Sequence, residues 1–329
     1  MEKNLTSGNV WKNILYFSLP YLLSYFLQTL YGMADLFIVG QFDGVASTTA
    51  VSIGSQVMHM LTVMIVGLAM GTTVTIGRAV GAGDSQKVSK TVGNTTVLFL
   101  GVSILLAGLL LFLVRPIVSV MSTPTEAVDG TIRYLTICFI GIPFITAYNV
   151  IASIFRGMGD SKSPMYFIAL ACVINIGLDY LFMGAMHMGP AGAALGTTLS
   201  QTISVIISLW VILKKQTCIT MKKADFQPEK QTMGQVLKIG IPIAAQDGFI
   251  QIAFIIITII ANRRGLSAAA AVGIVEKIIS FLFLLPSSML STVSALGAQN
   301  MGAGKYDRAD QILRCAWESQ WDLEYVWQF

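Results

Sequence analysis

Five ionisable side chains stand inside long apolar stretches of the sequence: Asp35, Asp179, Asp247, Glu276 and Lys277. A charge in lipid is expensive to maintain, so each is a candidate for handling an ion or a substrate. Asp35 lies about 21 residues into the first stretch, roughly 31 Å along a helix rising 1.5 Å per residue. Tyr31 precedes it by one turn on the same face. Asn175 and Asp179 are spaced i,i+4, so a single helix face presents both. Asp179 is about 14 residues, or 21 Å, into its own stretch. Thr197 falls about two turns into the next, which runs back the other way. All five positions reach similar depth. Where their helices meet, two carboxyls share a low-dielectric pocket with an amide and two hydroxyls. Two adjacent negative charges are costly there, and one bound proton relieves the cost. Sodium, a hard cation that prefers oxygen ligands, would relieve it too. The alternative is structural: polar residues commonly bond across membrane helices without carrying cargo.

Asp247 lies about 12 residues into its stretch and Glu276-Lys277 about 10, both near mid-membrane. Pairing of Asp247 or Glu276 with Lys277 would lower the cost of burial; otherwise these groups meet a substrate or ion. Gly81-Ala82-Gly83-Asp84 and Arg156-Gly157-Met158-Gly159-Asp160-Ser161 are neither a Walker A nor a full dinucleotide fingerprint, and neither follows a strand. They are expected as tight turns between helices. His59 and His187 form no HExxH, and there is no GxSxG, so zinc and serine hydrolases lack their residues. Paired aspartates leave an intramembrane aspartyl protease as the enzymatic alternative, and the expectation is no enzyme. Cys138, Cys172, Cys218 and Cys315 include no CxxC pair and are expected as free thiols, with no metal or cofactor.

These residues need membrane helices to position them. Of 329 residues, 54 % are hydrophobic and 12 % charged, about half the charge of a soluble domain. Mean hydropathy is +0.71. An all-α polytopic membrane protein follows. Eight stretches are long enough to cross a bilayer, which takes roughly 20 apolar residues: near Ile14–Gly40, Ser47–Ile76, Val88–Val114, Ile132–Phe155, Met165–Ala185, Gly192–Leu213, Val236–Ala261 and Ala268–Leu296. Lys and Arg gather on alternate connections, from Lys3 and Lys12 to Lys305, Arg308 and Arg314; the others carry only Arg115, Arg133, Arg263 and Arg264. Basic residues stay inside, so the N-terminus is expected in the cytoplasm and the protein in the inner (plasma) membrane. The net charge of +4 belongs to these connections, which argues against a nucleic-acid partner and for the lipid bilayer.

The chain divides at a polar linker. Leu19-Pro20 is echoed by Ile241-Pro242, and Gly81-Ala82-Gly83 by Gly302-Ala303-Gly304, at nearly the same offset. Six spans separate the units, so both enter from the same side, as a parallel repeat does. The expected organisation is a six-helix N-lobe over 1–213, a cytoplasmic linker over 214–234, and two helices of a second, pseudo-symmetric lobe over 235–314. An atypical tail, 315–329, carries Trp317, Trp321 and Trp327 among Glu318, Asp322 and Glu324 where the repeat calls for an apolar span. It is expected to mark a truncation or frameshift; a short variant with an amphipathic tail is the alternative.

LPYLLSYFLQTLYGMADLFIVG, AVGAGDSQKV, FRGMGDSKSPM, INIGLDYLF and GPAGAALGTTLSQ occur in the order and spacing of the multidrug and toxic compound extrusion (MATE) family, and resemble its DinF-like and related bacterial branches. The resemblance covers roughly residues 10–310. It implies two six-helix bundles in a V and an antiporter that exports amphipathic or cationic small molecules in exchange for protons or sodium. Asp35, Asp179, Asn175, Thr197 and Tyr31 match the family's N-lobe cation site, and Pro20 matches a hinge proline whose helix bends on protonation. Gln251 stands where the NorM-like branch has a glutamate. Full members have twelve spans, so a non-transporting fragment and a lipid flippase of the same superfamily remain alternatives.

Overall fold

The computed structural model describes residues 5–214, 221–264 and 266–327. Among the described residues every regular element is helical: α1 (Val10–Phe42), α2 (Val45–Gly81), α3 (Ser85–Val120), α4 (Val128–Gly157), α5 (Lys162–Asp179), α6 (Pro190–Lys214), α7 (Lys230–Arg263), α8 (Leu266–Gly302) and α9 (Tyr306–Trp327). A π-helical turn, Tyr180–Ala185, extends α5, and 3-10 turns cover Thr125–Ala127 and Lys223–Phe226. Helices α1 to α8 each contain a segment long and apolar enough to cross a membrane, eight in all.

Local chemistry sets the ends. Asp84 Oδ1 accepts from the Lys87 N–H at 2.9 Å and starts α3. Asp160 Oδ1 accepts from the Lys162 and Ser163 N–H groups, both at 3.0 Å, and starts α5. Such side chains satisfy N–H groups that have no partner within the helix. The repeated Gly-Ala-Gly folds the same way twice. Gly83 (φ 71°) and Gly304 (φ 70°) take the left-handed conformation that ends α2 and α8. Asp84 N–H then reaches back to the Ala79 carbonyl, and Lys305 N–H to that of Asn300.

Four boundaries differ from expectation. Arg156 and Gly157 end α4 rather than sitting in a turn, and Arg156 is buried. Arg115 lies within α3, not in a connection. The linker is shorter than 214–234, because α7 starts at Lys230. The tail continues as α9, which is not among the span-forming helices. Its Ile312 and Cys315 pack against α1 and α8, while Trp317 is exposed.

Helix α2 is the hub, packing on α4 along one side and on α7 and α8 along another. Lipid tails are as apolar as leucine, so membrane helices adhere through close packing and polar contacts rather than by escaping water. Glycine supplies that packing reciprocally. A Cβ on Gly71 would strike the Val236 carbonyl oxygen and one on Gly240 that of Leu68; one on Gly81 would strike the Gln299 carbonyl and one on Gly302 that of Arg78. Tyr25 Oη and Ser291 Oγ meet at 3.1 Å between α1 and α8, and Gln299 Nε2 donates to the Gly157 carbonyl at 2.9 Å. All of these contacts lie toward the end of the bundle that carries the N-terminus. Farther along α7, Phe249, Ile256 and Ile260 are exposed, as are Leu105 and Phe112 of α3, surfaces suited to hydrocarbon.

Candidate functional site

Three helices bring the carboxyls together. From α1, Asp35 Oδ2 accepts a hydrogen bond from Thr197 Oγ1 of α6 at 3.2 Å. From α5, Asn175 and Asp179 project from one face, and Asp179 and Asn175 stand beside Asp35. Tyr31, one turn before Asp35, borders the same pair. Asp35, Asn175 and Asp179 are no more than 5 % exposed, so water does not solvate their charges freely. Gly196, next to Thr197, makes the room: a Cβ there would collide with Asp179 Oδ1 and lie 3.6 Å from Asn175 Nδ2.

All five residues expected at this site are therefore neighbours. Asp35 Oδ1, both Asp179 oxygens and both Asn175 amide atoms are buried without a hydrogen-bond partner. Buried polar groups are nearly always satisfied, so such a concentration is unusual, and its chemistry suits a proton, an ion or water. Every acceptor is oxygen. A proton between the carboxyls fits this set, and so does a hard monovalent cation; a soft metal does not.

Other residues of the pocket carry no sequence signal. Tyr134 and Cys138 of α4 and Cys172 of α5 lie near Asp35. The π-helical turn starts immediately after Asp179. Such wide turns open the backbone ladder and recur at functional sites. No proline or unusual residue within Tyr180–Ala185 announces it.

The remaining candidates lie elsewhere. Pro20 is buried within α1, fifteen residues before Asp35, and its carbonyl accepts from Ser24 Oγ at 2.7 Å. The next residue, Tyr21, has the Arg156 guanidinium 4.5 Å above its ring. Asp247 is half-buried on α7 and faces α2, its Oδ2 3.0 Å from where a Cβ on Gly67 would stand. Gln251 is half-exposed one turn farther along α7. Glu276 and Lys277 belong to α8, but their side chains lie outside the described residues, as does all of Cys218. Cys138, Cys172 and Cys315 are free thiols.

The sequence model of the MatE family matches residues 20–181 and 242–317. The chain belongs to the MATE family. Its relatives include a probable multidrug resistance protein, YpnP of Bacillus subtilis strain 168, 30 % identical over 305 residues that make up 93 % of this chain and 68 % of that one. A probable multidrug resistance protein NorM of Thermotoga maritima is 26 % identical over 315 residues, 93 % of this chain and 66 % of that one. The MATE chain solved in complex with MaD3S superposes with a TM-score of 0.89 at 24 % identity, covering 98 % of this chain and 73 % of its own. An outward-facing MATE transporter gives the same TM-score at 24 % identity, with 98 % and 72 % covered. At that identity the superpositions establish the fold. This MATE chain is thus a multidrug-efflux transporter family member rather than an enzyme, and spans about two-thirds of its relatives' length.

One substitution isolates the geometry of the pocket. Gly196→Ala places a methyl group where the Asp179 carboxyl now lies and forces that side chain out of position. Dye efflux is expected to fall on the order of tenfold while membrane insertion is unchanged, measured as transport normalised to expressed protein.

Proposed function

We propose that this MATE protein is a secondary active antiporter that exports amphipathic or cationic small molecules in exchange for protons or sodium. The observation that carries the proposal is the Asp35–Asp179 pocket, with its unpartnered oxygens enclosed by α1, α5 and α6. Helices α1–α6 are read as one lobe and α7–α8 as the start of a second, joined at their cytoplasmic ends by the glycine contacts of α2. The N-terminus is read as cytoplasmic and the membrane as the inner (plasma) membrane, because the Lys and Arg residues favour that side.

Coupling follows from charge. With the pocket open to the outside, Asp35 and Asp179 take up a proton or cation and lose their mutual repulsion. The ion thereby favours one packing of α1 against α5 and α6 over another, and a ligand shifts a conformational equilibrium only by such a difference in affinity. Pro20 gives α1 a place to flex, since proline removes one backbone hydrogen bond. Cargo would meet Asp247, a half-buried carboxylate on the seam between α2 and α7 that attracts cations, with Gln251 above it. Apolar cargo surface would lie against the exposed side chains of α7.

The test is efflux of a cationic dye from cells expressing this chain, beside a version extended to twelve spans and an empty vector. Dye loss above the vector by either protein, abolished when the proton and sodium gradients are collapsed, is expected. Equal retention in all three would overturn the proposal.

A further inference from the structure

The stretch leading into α7, residues 225–229, is fastened to α3. Asn94, only 1 % exposed in the first third of α3, holds it with both ends of its amide. Its Oδ1 accepts from the Glu229 N–H at 2.6 Å, and its Nδ2 donates to the Asp225 carbonyl at 3.3 Å and to the Lys90 carbonyl at 3.0 Å. Glu229 immediately precedes α7, so its N–H is one of the donors that a helix start leaves without a partner. Capping groups ordinarily come from the helix's own chain neighbourhood; here the acceptor comes from a different helix, 135 residues away. Gly93 allows the approach, because a Cβ there would collide with the Asp225 carbonyl. On the rim, Lys90 Nζ meets Glu229 Oε1 at 2.9 Å, and Thr232 Oγ1 donates to Glu229 Oε2. The Thr232 hydroxyl first and the Lys90 ammonium second hold the Glu229 carboxyl below its usual range, so it is ionised at neutral pH. That pair is partly exposed and contributes little; the buried amide does the holding.

We infer that Asn94 is a positioning residue for transport: it caps α7 across the lobe interface and clamps the connecting segment onto α3, and so holds the cytoplasmic side of the cleft closed. Its contacts with Glu229 and Asp225 exist only while α3 and the start of α7 stay together. Any movement that opens the cytoplasmic side by separating them strips the cap from α7 and leaves the buried Asn94 Oδ1 without a partner, only the bond to the Lys90 carbonyl within α3 remaining. The latch therefore weights the equilibrium toward the closed arrangement. This inference rests on the antiport reading above, but its readout needs no transport.

A single cysteine at Ser291→Cys, buried between α8 and α1, reports opening from the cytoplasmic side; Cys138, Cys172, Cys218 and Cys315 are first replaced by alanine. Its reaction with a membrane-impermeant thiol reagent is followed in inside-out vesicles. Asn94→Leu, similar in volume and without polar atoms, is expected to raise the rate roughly five- to tenfold, the range of a lost cap. Glu229→Gln removes the rim ion pair with Lys90 but keeps the backbone N–H that Asn94 caps, and is expected to stay within about twofold of the parent. An unchanged rate in Asn94→Leu, or an equal rise in both variants, would overturn the inference. Should Asn94→Leu fail to accumulate, hydrogen exchange at the Glu229 amide of the unsubstituted protein decides. Slow exchange is expected, and exchange at the rate of a free amide would contradict it. Loss of dye efflux with this latch behaviour intact would instead count against the antiport reading alone.

Discussion

Asp35→Asn is expected to lower dye efflux by roughly 5- to 150-fold while leaving the protein folded and inserted. Asparagine has almost the shape of aspartate and still accepts from Thr197 Oγ1, so the 3.2 Å contact survives. It carries no negative charge and cannot bind and release a proton. The repulsion between Asp35 and Asp179 disappears permanently, and with it the difference between the loaded and empty pocket. Couplings between sites typically amount to about 1–3 kcal/mol, or 5- to 150-fold, so removing this one reduces gradient-driven efflux by up to that factor. Dye efflux normalised to membrane-inserted protein is the measurement, with Asp179→Asn in parallel. Asp35→Asn efflux equal to the parent's would remove Asp35 from the mechanism.

Gly81→Val is expected to act at the opposite end of the molecule with an effect of similar size. At Gly81 a new Cβ meets the backbone carbonyl of Gln299, and at Gly302 it meets that of Arg78. A side-chain end could swing aside; a helix backbone cannot. The two helices must separate, at the roughly 1–3 kcal/mol that overpacking costs. The arrangement with the Gly81 end of α2 and the Gly302 end of α8 in contact loses population by about 5- to 150-fold. Disulfide formation between Gly77→Cys and Ala298→Cys, whose Cβ atoms would stand about 3.0 Å apart in the present packing and so need only a slight adjustment to bond, measures that population. Gly81→Val should lower the cross-linking yield sharply. An undiminished yield would mean that the glycine contacts do not hold this arrangement.

Much of the pocket was legible in the sequence because short-range rules were enough. The i,i+4 spacing of Asn175 and Asp179 fixes their common face, and the rise per residue fixes the depth of Asp35 and Thr197. The repeated Gly-Ala-Gly was legible as a turn, since the left-handed conformation of Gly83 and Gly304 is a local property. That Gly81 and Gly302 press against each other's helices was not, because reciprocity appears only when the two units meet. Asn94 looked like any polar residue on a long helix; the two partners that matter, Asp225 and Glu229, are more than 130 residues away. Arg156 was misplaced for a different reason. Two glycines within three residues suggest a turn, yet a glycine in a helix costs only about 1 kcal/mol, and α4 continues through Gly157 before Gly159 breaks it. In the tail, the acids and tryptophans exclude a membrane span but not a helix. Asp310 and Arg314 pair at i,i+4 along α9.

The most direct measurement is ion movement driven by cargo in liposomes containing the purified protein and a trapped pH indicator, first without sodium and then with it. If the Asp35–Asp179 pocket couples export to an ion, a cationic dye gradient drives an opposing flow. In the absence of sodium the indicator shifts in step with dye movement, or dye moves only once sodium is supplied, and Asp35→Asn eliminates either response. Dye that crosses at the same rate with no accompanying proton or sodium flux, in parent and Asp35→Asn alike, would contradict antiport through this site.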